Sequence, residues 1–139
     1  HPPRQRLPAL TISCHRSVPH ARIGINHQSG AGVAGDILFR NIDIERVTKT
    51  NNVWRTWALF QIGDAYNDGA GPIDGVTVSH INVRDHGTST PILSGFSPTS
   101  NIRNVVFDSI RMPGSTGYAT SLAELGFTNP VHTANIVVQ

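Results

Sequence analysis

Two carboxylates flank a tyrosine in one short polar segment of the sequence. Asp64 and Asp68 lie on either side of Tyr66, directly after an apolar run that ends at Gly63. Two carboxyl groups at the end of a strand can act as a general acid and a general base. Asp is also a common turn former, because its side chain accepts hydrogen bonds from nearby backbone N–H groups. The pair therefore predicts acid–base chemistry, the binding of a sugar or a cation, or a structural turn.

Aromatic residues in two polar segments indicate a surface for sugar rings. Trp54 lies in residues 48–57 and Tyr66 lies in residues 64–72, and both segments are rich in polar and turn-forming residues. A flat aromatic face packs well against the C–H surface of a sugar ring. Trp57 is the weaker candidate, since it runs directly into an apolar segment. The alternative is that these side chains cover a core beneath the inserted segments.

Histidine and cysteine residues offer further chemical groups. Asp85 followed by His86 could be a base oriented by a carboxylate, or a turn that ends at Gly87. The seven histidines show no spacing typical of metal ligands, so we expect neither a metal nor another cofactor. Cys14 is the single cysteine, which excludes a disulfide within these residues.

A repeated pattern defines the elements that must position these groups. Apolar residues alternate at Ile37 and Phe39 and again at Ile42 and Ile44, with one extra residue, Asn41, in the gap. Alternate side chains of a strand share one face, so the extra residue must be absorbed by a bend. Asn tolerates the left-handed backbone that such a bend needs. The unit, predicted as strand, sharp corner and strand, recurs at Val76, Val78, Ile81 and Val83, at Val105, Phe107, Ile110 and Met112, and in part at Ile136 and Val138.

The repeat predicts a solenoid. A copy returns about every 30 residues apart from one insertion, which is the spacing of a solenoid coil. A second kind of apolar segment, ending in Gly63, Gly95 or Gly126, lies between the copies, so we expect three short strands per coil. His80 and Ser109 take the corner position of the later copies and are expected to be structural.

The predicted fold class is all-β, a right-handed parallel β-helix without helices. Its coils are expected over residues 21–139, as the C-terminal part of a longer β-helix within a larger catalytic domain. Residues 1–20 are rich in proline and are predicted to form an irregular lead. The pattern breaks off soon after Ile136, so we expect further N-terminal coils or another subunit to cover an open end.

Composition narrows the class of partner. The 139 residues carry a formal net charge of +2 and are 38% apolar, which fits one domain with a modest core. Neither a basic stripe nor interleaved aromatic residues occur in the repeats, so nucleic acid is not expected as a partner. No apolar run approaches the roughly 20 residues of a membrane span, and no signal peptide begins the sequence, so no membrane partner is expected.

The first repeat and the turn before it resemble a known family. The resemblance is to polygalacturonase-type enzymes of glycoside hydrolase family 28, around their Arg-Ile-Lys motif and the glycine-rich turn that follows it. The later repeats are similar to the C-terminal coils of the same enzymes. Dextranases, isopullulanases and pectate lyases have similar coils. The matching residues are Arg22-Ile23, Ser29-Gly30-Ala31-Gly32, Asp36-Ile37-Leu38-Phe39-Arg40-Asn41-Ile42 and the segment from Ser94 to Val105.

The resemblance implies a secreted protein that acts on a polysaccharide, pectin-like or glucan-like. Family members invert the glycosidic bond with paired carboxylates, which come from Asn-Thr-Asp and Asp-Asp motifs, with a histidine from Gly-His-Gly. None of these motifs occurs here, so the catalytic residues are expected outside this sequence. Arg22 matches the family's arginine and is implied to contact a sugar carboxylate. Gly24 stands where the family has lysine, which puts an acidic-sugar substrate in question.

Two other functions remain open. A non-catalytic carbohydrate-binding protein, adhesin-like or tailspike-like, would bind a polysaccharide with the same coils. A polysaccharide lyase would need a basic residue as its base and, commonly, a cluster of acidic calcium ligands, which the sequence lacks. In each case the predicted sugar-binding residues are Arg22, Trp54, Asp64, Tyr66 and Asp68, with residues 48–57 and 64–72 as the walls of a groove.

Overall fold

The chain is built mainly of β-strands, so the all-β class is confirmed. The computed structural model describes residues 10–13, 17–18, 22–47 and 55–139. Trp54 and most of the insertion at residues 48–57 lie outside the described residues. The elements are β1 (Leu10–Ser13), β2 (Ser17–Val18), β3 (Ile23–His27), β4 (Ala34–Ile44), β5 (Ala58–Ile62), β6 (Ile73–Val83), β7 (Ile92–Ser94), β8 (Ile102–Arg111), α1 (Leu122–Leu125) and β9 (Thr133–Val138).

The strands form two parallel sheets. The first sheet has the order β1-β4-β6-β8-β9, with β2 also paired to β4, and the second has the order β3-β5-β7. From β3 to β8 the chain alternates between the two sheets, so β3, β4, β5 and β6 each pair with the strand two places further along. Every named pair of strands is parallel.

The strand register confirms the alignment of the repeats. The first apolar position of each copy lies opposite the same position in the next, from Ile37 to Val76, Val105 and Ile136. A one-residue slip would turn every apolar side chain of a strand to the opposite face, so the hydrophobic pattern fixes this register. The second pair of each copy is also matched, as in Ile42, Ile81 and Ile110.

The predicted corners are left-handed, as expected for Asn41. The φ angles of Asn41, His80 and Ser109 are 57°, 56° and 59°. Each unit of strand, corner and strand is therefore one continuous strand with a left-handed residue inside it, and the three short strands expected per coil become one long and one short strand. His and Ser adopt this backbone because the pairing on both sides of the corner holds it.

A second left-handed position, which the sequence reasoning missed, lies earlier in each long strand. The residues there are Asp36, Gly75, Asn104 and Asn135, all with positive φ. The Asn135 side-chain amide donates to Asn104 Oδ1 (2.8 Å), and the Asn104 amide donates to Asp74 Oδ1 (2.8 Å). This row of side-chain hydrogen bonds runs across neighbouring strands and ties three repeats together.

Aromatic side chains fill the centre of the core. Phe60 contacts Phe39 and Phe107 edge to face, with ring centroids 6.4 and 6.1 Å apart. Phe127 packs against Phe107 at 5.4 Å and against Trp57 at 6.1 Å. These rings join the two sheets, because Phe60 belongs to β5 and its two phenylalanine neighbours belong to β4 and β8.

The predicted repeat of the glycines is wrong. Ser94 lies opposite Gln61, so Gly95 corresponds to Ile62 and is one residue out of register with Gly63. Gly126 ends a helix with φ of 92°. The spacing of the three glycines therefore does not mark equivalent positions.

The segment before Gly126 is helical, which corrects the expectation of a chain without helices. Ser121 accepts a hydrogen bond from the Glu124 N–H at the start of α1, and Gly126 is the left-handed cap at its end. Ser followed three residues later by Glu is the sequence signature of a capping box, and Gly is the favoured residue after a helix. Both signals are present in the sequence but were outweighed by the repeat spacing. The residue that pairs with Ser94 of β7 is Val131, further along the chain, which forms an isolated parallel β-bridge with it.

Two strands lie in the segment that was predicted to be irregular. Leu10–Ser13 and Ser17–Val18 both pair with β4. The short apolar run at Leu10 and Ile12 was the one local sign of this pairing. Within the described residues, no helix is long and apolar enough to cross a bilayer.

Phe107 provides a test of the aromatic core. Phe107 is fully buried, whereas its neighbour Val106 is half-buried and faces the other side of β8. Phe107→Ala should lower the free energy of unfolding by about 3–5 kcal/mol, because it leaves a cavity between two rings. Val106→Ala should cost less than about 1.5 kcal/mol. Urea unfolding followed by circular dichroism measures both, and equal losses would contradict the assignment of Phe107 to the core.

Candidate functional site

Asp64 and Asp68 lie together, but the contacts of their carboxylates are those of a turn. Asp64 Oδ1 accepts hydrogen bonds from the N–H groups of Asp68 (3.0 Å) and Gly69 (3.2 Å). Asp68 accepts one from the Ser29 hydroxyl (2.6 Å) and one from the Gly30 N–H (2.9 Å). The turn at residues 64–69 is thereby attached to the turn that follows β3.

The electrostatics of Asp68 do not suit a general acid. The hydrogen bond from the Ser29 hydroxyl, followed by that from the Gly30 N–H, lowers the pKa of the Asp68 carboxyl. A carboxyl with a lowered pKa is ionised at neutral pH and has no proton to give. Tyr66, between the two aspartates, is 74% exposed. Of the roles predicted for this segment, the structural turn is the one that the contacts support.

Arg22 is at the opposite end of the second sheet from these aspartates. It precedes Ile23, which pairs with Ala58, whereas Asp64 follows the other end of the same strands. Five residues of strand span about 17 Å. Arg22 and the turn at residues 64–69 therefore do not share one sugar-sized site.

Trp57 belongs to the core and not to a sugar platform. Its side chain is fully buried, and its indole N–H donates to the Leu125 carbonyl (3.1 Å). For Trp57, the alternative that the aromatic side chains cover a core is therefore the one supported.

Asp85 also acts in a turn. Its two carboxylate oxygens accept hydrogen bonds from the N–H groups of Val47 (2.9 Å) and Gly87 (2.9 Å). The hydrogen bond from Val47 and then that from Gly87 lower the pKa of the Asp85 carboxyl, burial partly opposes them, and the nearby Arg55 and His86 lower it slightly further. Asp85 thus holds the backbone at Val47, and the turn alternative for the Asp85–His86 pair is the one supported.

A polar cleft lies across the outer surface of β6 and β8, where the sequence reasoning expected structural residues. Its volume is about 270 Å³. Asn82 of β6 lies directly opposite Arg111 of β8, and the left-handed corners of the same two strands are next to them. The connection after β8 supplies an aromatic wall. The lining residues are His80, Ile81, Asn82, Ser109, Arg111 and Tyr118.

Neighbouring groups orient the side chains of this cleft. The His80 Nδ1 and the Ser79 hydroxyl share a hydrogen bond of 2.7 Å, which leaves Nε2 for another partner. The Arg111 guanidinium lies over the ring of Tyr118, 5.5 Å from its centre. The Asn82 amide donates to Asp43 Oδ1 (3.3 Å) with one of its two hydrogens. The cleft therefore combines an aromatic face with oriented hydrogen-bond donors.

The signal for this cleft was present in the sequence but was not recognised. His80 and Ser109 were assigned to the corner on backbone grounds, and that assignment is correct. A left-handed corner also turns its side chain outward, so a corner residue can line a surface site as well. Arg111 and Tyr118 come from positions that the repeat pattern left without a role.

A second, more apolar pocket lies beside the helix. It has a volume of about 270 Å³ and shares three residues with a neighbouring pocket of about 440 Å³. Glu124 at the rim accepts hydrogen bonds from the N–H (3.0 Å) and hydroxyl (3.2 Å) of Thr120, so it is part of the helix cap. The smaller pocket is lined by Trp57, His86, Pro91, Met112, Pro113, Glu124, Leu125 and Gly126.

The described ranges contain no group of three or more His, Cys, Asp or Glu side chains that could hold a metal ion. Comparisons with known proteins add no further assignment. No protein-family model matches the sequence, and neither curated proteins nor solved structures give a match. The functional argument therefore depends on the geometry of the site.

The hydrogen bonds of Asp85 predict a pH-dependent contribution to stability. A carboxyl whose pKa is lower in the folded state stabilises the fold above the unfolded pKa of about 3.9, and this stabilisation is lost as the pH falls through the folded pKa. Asp85→Asn keeps the size of the side chain but loses one of two accepting oxygens. At pH 7 it should lower the free energy of unfolding by about 1 kcal/mol.

Below about pH 4 the difference between wild type and Asp85→Asn should shrink, because protonated Asp85 also loses an acceptor. Urea unfolding at pH 7, 4 and 2.5 measures this convergence. Asp36→Asn is the control, because Asp36 is exposed and has a left-handed backbone, which Asn tolerates. This substitution should change the free energy of unfolding by less than about 0.5 kcal/mol. A difference for Asp85→Asn that is constant over this pH range would contradict the predicted role.

Proposed function

We propose that the two parallel sheets are faces of a right-handed parallel β-helix. The support is that parallel strands pair with a spacing of one repeat, while the chain passes through the other sheet between them. Crossovers between parallel strands of one sheet are right-handed in nearly all proteins, because of the twist of the strands. The Asn side chains hydrogen-bonded across repeats agree with this arrangement, since they need equivalent corners one above the other.

We propose further that this β-helix binds a polysaccharide and is part of a glycoside hydrolase of the kind that the sequence resembles. The observation that carries the proposal is the cleft across β6 and β8. It joins the face of Tyr118 to the polar side chains of His80, Asn82 and Arg111. Sugars are bound by this combination, in which ring C–H groups pack on an aromatic face and hydroxyls take directed hydrogen bonds.

The described residues would contribute binding and not the chemical step. Inverting hydrolysis needs two free carboxyl groups on opposite sides of the glycosidic bond, one to protonate the leaving oxygen and one to activate water. Asp68 and Asp85 accept two hydrogen bonds each, and Asp64 accepts two through one oxygen. On this proposal, the acid and base are other residues, outside the 139 residues of this sequence.

The contacts of these three aspartates also favour a second function, a carbohydrate-binding β-helix without catalysis. The two functions share the cleft and differ only in cleavage. Release of reducing ends from a polysaccharide that the protein binds would support the hydrolase. Binding without new reducing ends, over a range of pH, would favour the non-catalytic protein.

The binding surface can be tested with two tyrosines as a matched pair. Tyr118 lines the cleft and is 52% exposed, whereas Tyr66 lies in the turn at residues 64–69 and is 74% exposed. Tyr118→Ala should weaken binding about tenfold, since the loss of an aromatic contact costs roughly 1.5 kcal/mol. Tyr66→Ala should leave the affinity within about twofold of wild type. Affinity electrophoresis against pectins, glucans and xylans gives the ranking, and calorimetry gives the dissociation constants.

The opposite ranking of the two variants would move the site to the turn at residues 64–69. The absence of binding to every polysaccharide of the panel would refute the proposed function.

A further inference from the structure

Arg111 has an aromatic neighbour and no ion-pair partner in the described part of the chain. The ion pairs found there join Arg84 to Asp43 and Glu45, and Arg103 to Asp74. The guanidinium of Arg111 instead lies over the ring of Tyr118 at the wall of the cleft. The guanidinium of Arg111 therefore lines the cleft, whose volume of about 270 Å³ can hold a small chemical group.

Two more donors accompany this cation. His80 and Asn82 are two residues apart on β6, about 6.6 Å along a strand, and Arg111 is on β8, about 4.8 Å across. When the Ser79 hydroxyl donates to His80 Nδ1, the Nε2 of this ring carries the hydrogen. Asn82 keeps one amide hydrogen beyond its bond to Asp43. With this tautomer, the side chains of His80, Asn82 and Arg111 can all donate hydrogen bonds to one occupant of the cleft.

Two acidic groups near the cleft have different partners. Asp43 accepts two hydrogen bonds from the guanidinium of Arg84 (3.0 and 2.9 Å), a cation that it shares with Glu45 (3.7 Å). Asp108 accepts one from the Ser109 hydroxyl (3.1 Å). An anion in the cleft would therefore be attracted by Arg111 and opposed by Asp108, whose hydrogen-bond partner is a neutral hydroxyl.

We propose that this cleft binds a sulfate ester carried by the sugar ring that packs against Tyr118. Arg111 would donate two parallel hydrogen bonds to one side of the anion, as guanidinium groups do with oxyanions. The sulfate ester has three terminal oxygens that do not lie in one plane with the sulfur, so it can accept from Arg111, His80 and Asn82 together. A carboxylate can accept as many hydrogen bonds, but its lone pairs lie in one plane, so donors that approach from outside this plane bind it less well. The inference depends on the proposed polysaccharide binding and adds the chemical class of the ligand.

Three polymers with the same backbone test this inference: dextran, carboxymethyl dextran and dextran sulfate. Binding is measured by calorimetry at about 0.15 M salt, where the Debye length of about 8 Å screens distant charges. Wild type should bind dextran sulfate at least tenfold more tightly than carboxymethyl dextran of equal charge density. Arg111→Gln should reduce the affinity for dextran sulfate at least tenfold. Arg111→Lys, which keeps the charge but not the two parallel bonds, should lie between them.

Arg46→Gln is the matched control, because it removes the same charge from an exposed arginine outside the cleft. Equal losses in the variants of Arg111 and Arg46 would overturn the inference in favour of general attraction to a basic protein. Equal affinities of wild type for the sulfated and carboxymethylated polymers would overturn the choice of sulfate. If dextran sulfate binds no better than dextran, the inference fails, while Tyr118-dependent binding in the panel above would still support the proposed function.

Discussion

The parallel pairing of β4, β6, β8 and β9 is the constraint on which the rest of the structure depends. It sets Ile37, Val76, Val105 and Ile136 in one row, and the other apolar rows follow from it. A fixed register decides which side chains enter the core and which face solvent. It also places the left-handed corners beside one another, so the side chains of neighbouring repeats share one surface. The cleft exists because equivalent residues of two repeats are adjacent in space.

The all-β class and the long strands could be predicted from the sequence because their signal is periodic. Alternating apolar residues interrupted at Asn41 define both the strand and its corner, and the same pattern recurs in three further copies. The short helix Leu122–Leu125 was missed, because the spacing to earlier glycines was given more weight than the local cap formed by Ser121 and Glu124. Local hydrogen bonds decide the conformation of a four-residue segment, and a period measured over 30 residues does not describe them.

The candidate site was harder to predict for a physical reason. Asp64, Asp68 and Asp85 are the residues that attract notice in a sequence, but short acidic side chains after strands are also suited to binding backbone N–H groups, and these three do so. The contact between Arg111 and Tyr118 joins a strand end to a later connection. No sequence spacing encodes such a contact, because it depends on how the connection after β8 folds back over the sheet.

The two ends of the inserted segment after β4 are joined to each other. The Arg55 side chain donates to the Val47 carbonyl (3.0 Å), and Asp85 holds the Val47 N–H. Val47 and Arg55, on either side of residues 48–54 in the sequence, are thus held together by contacts of their own. Doubling the length of a flexible loop with fixed ends costs only about 0.6 kcal/mol of closure entropy. This position is therefore suited to the grafting of foreign peptides, which would be displayed on a rigid β scaffold without a change in its register.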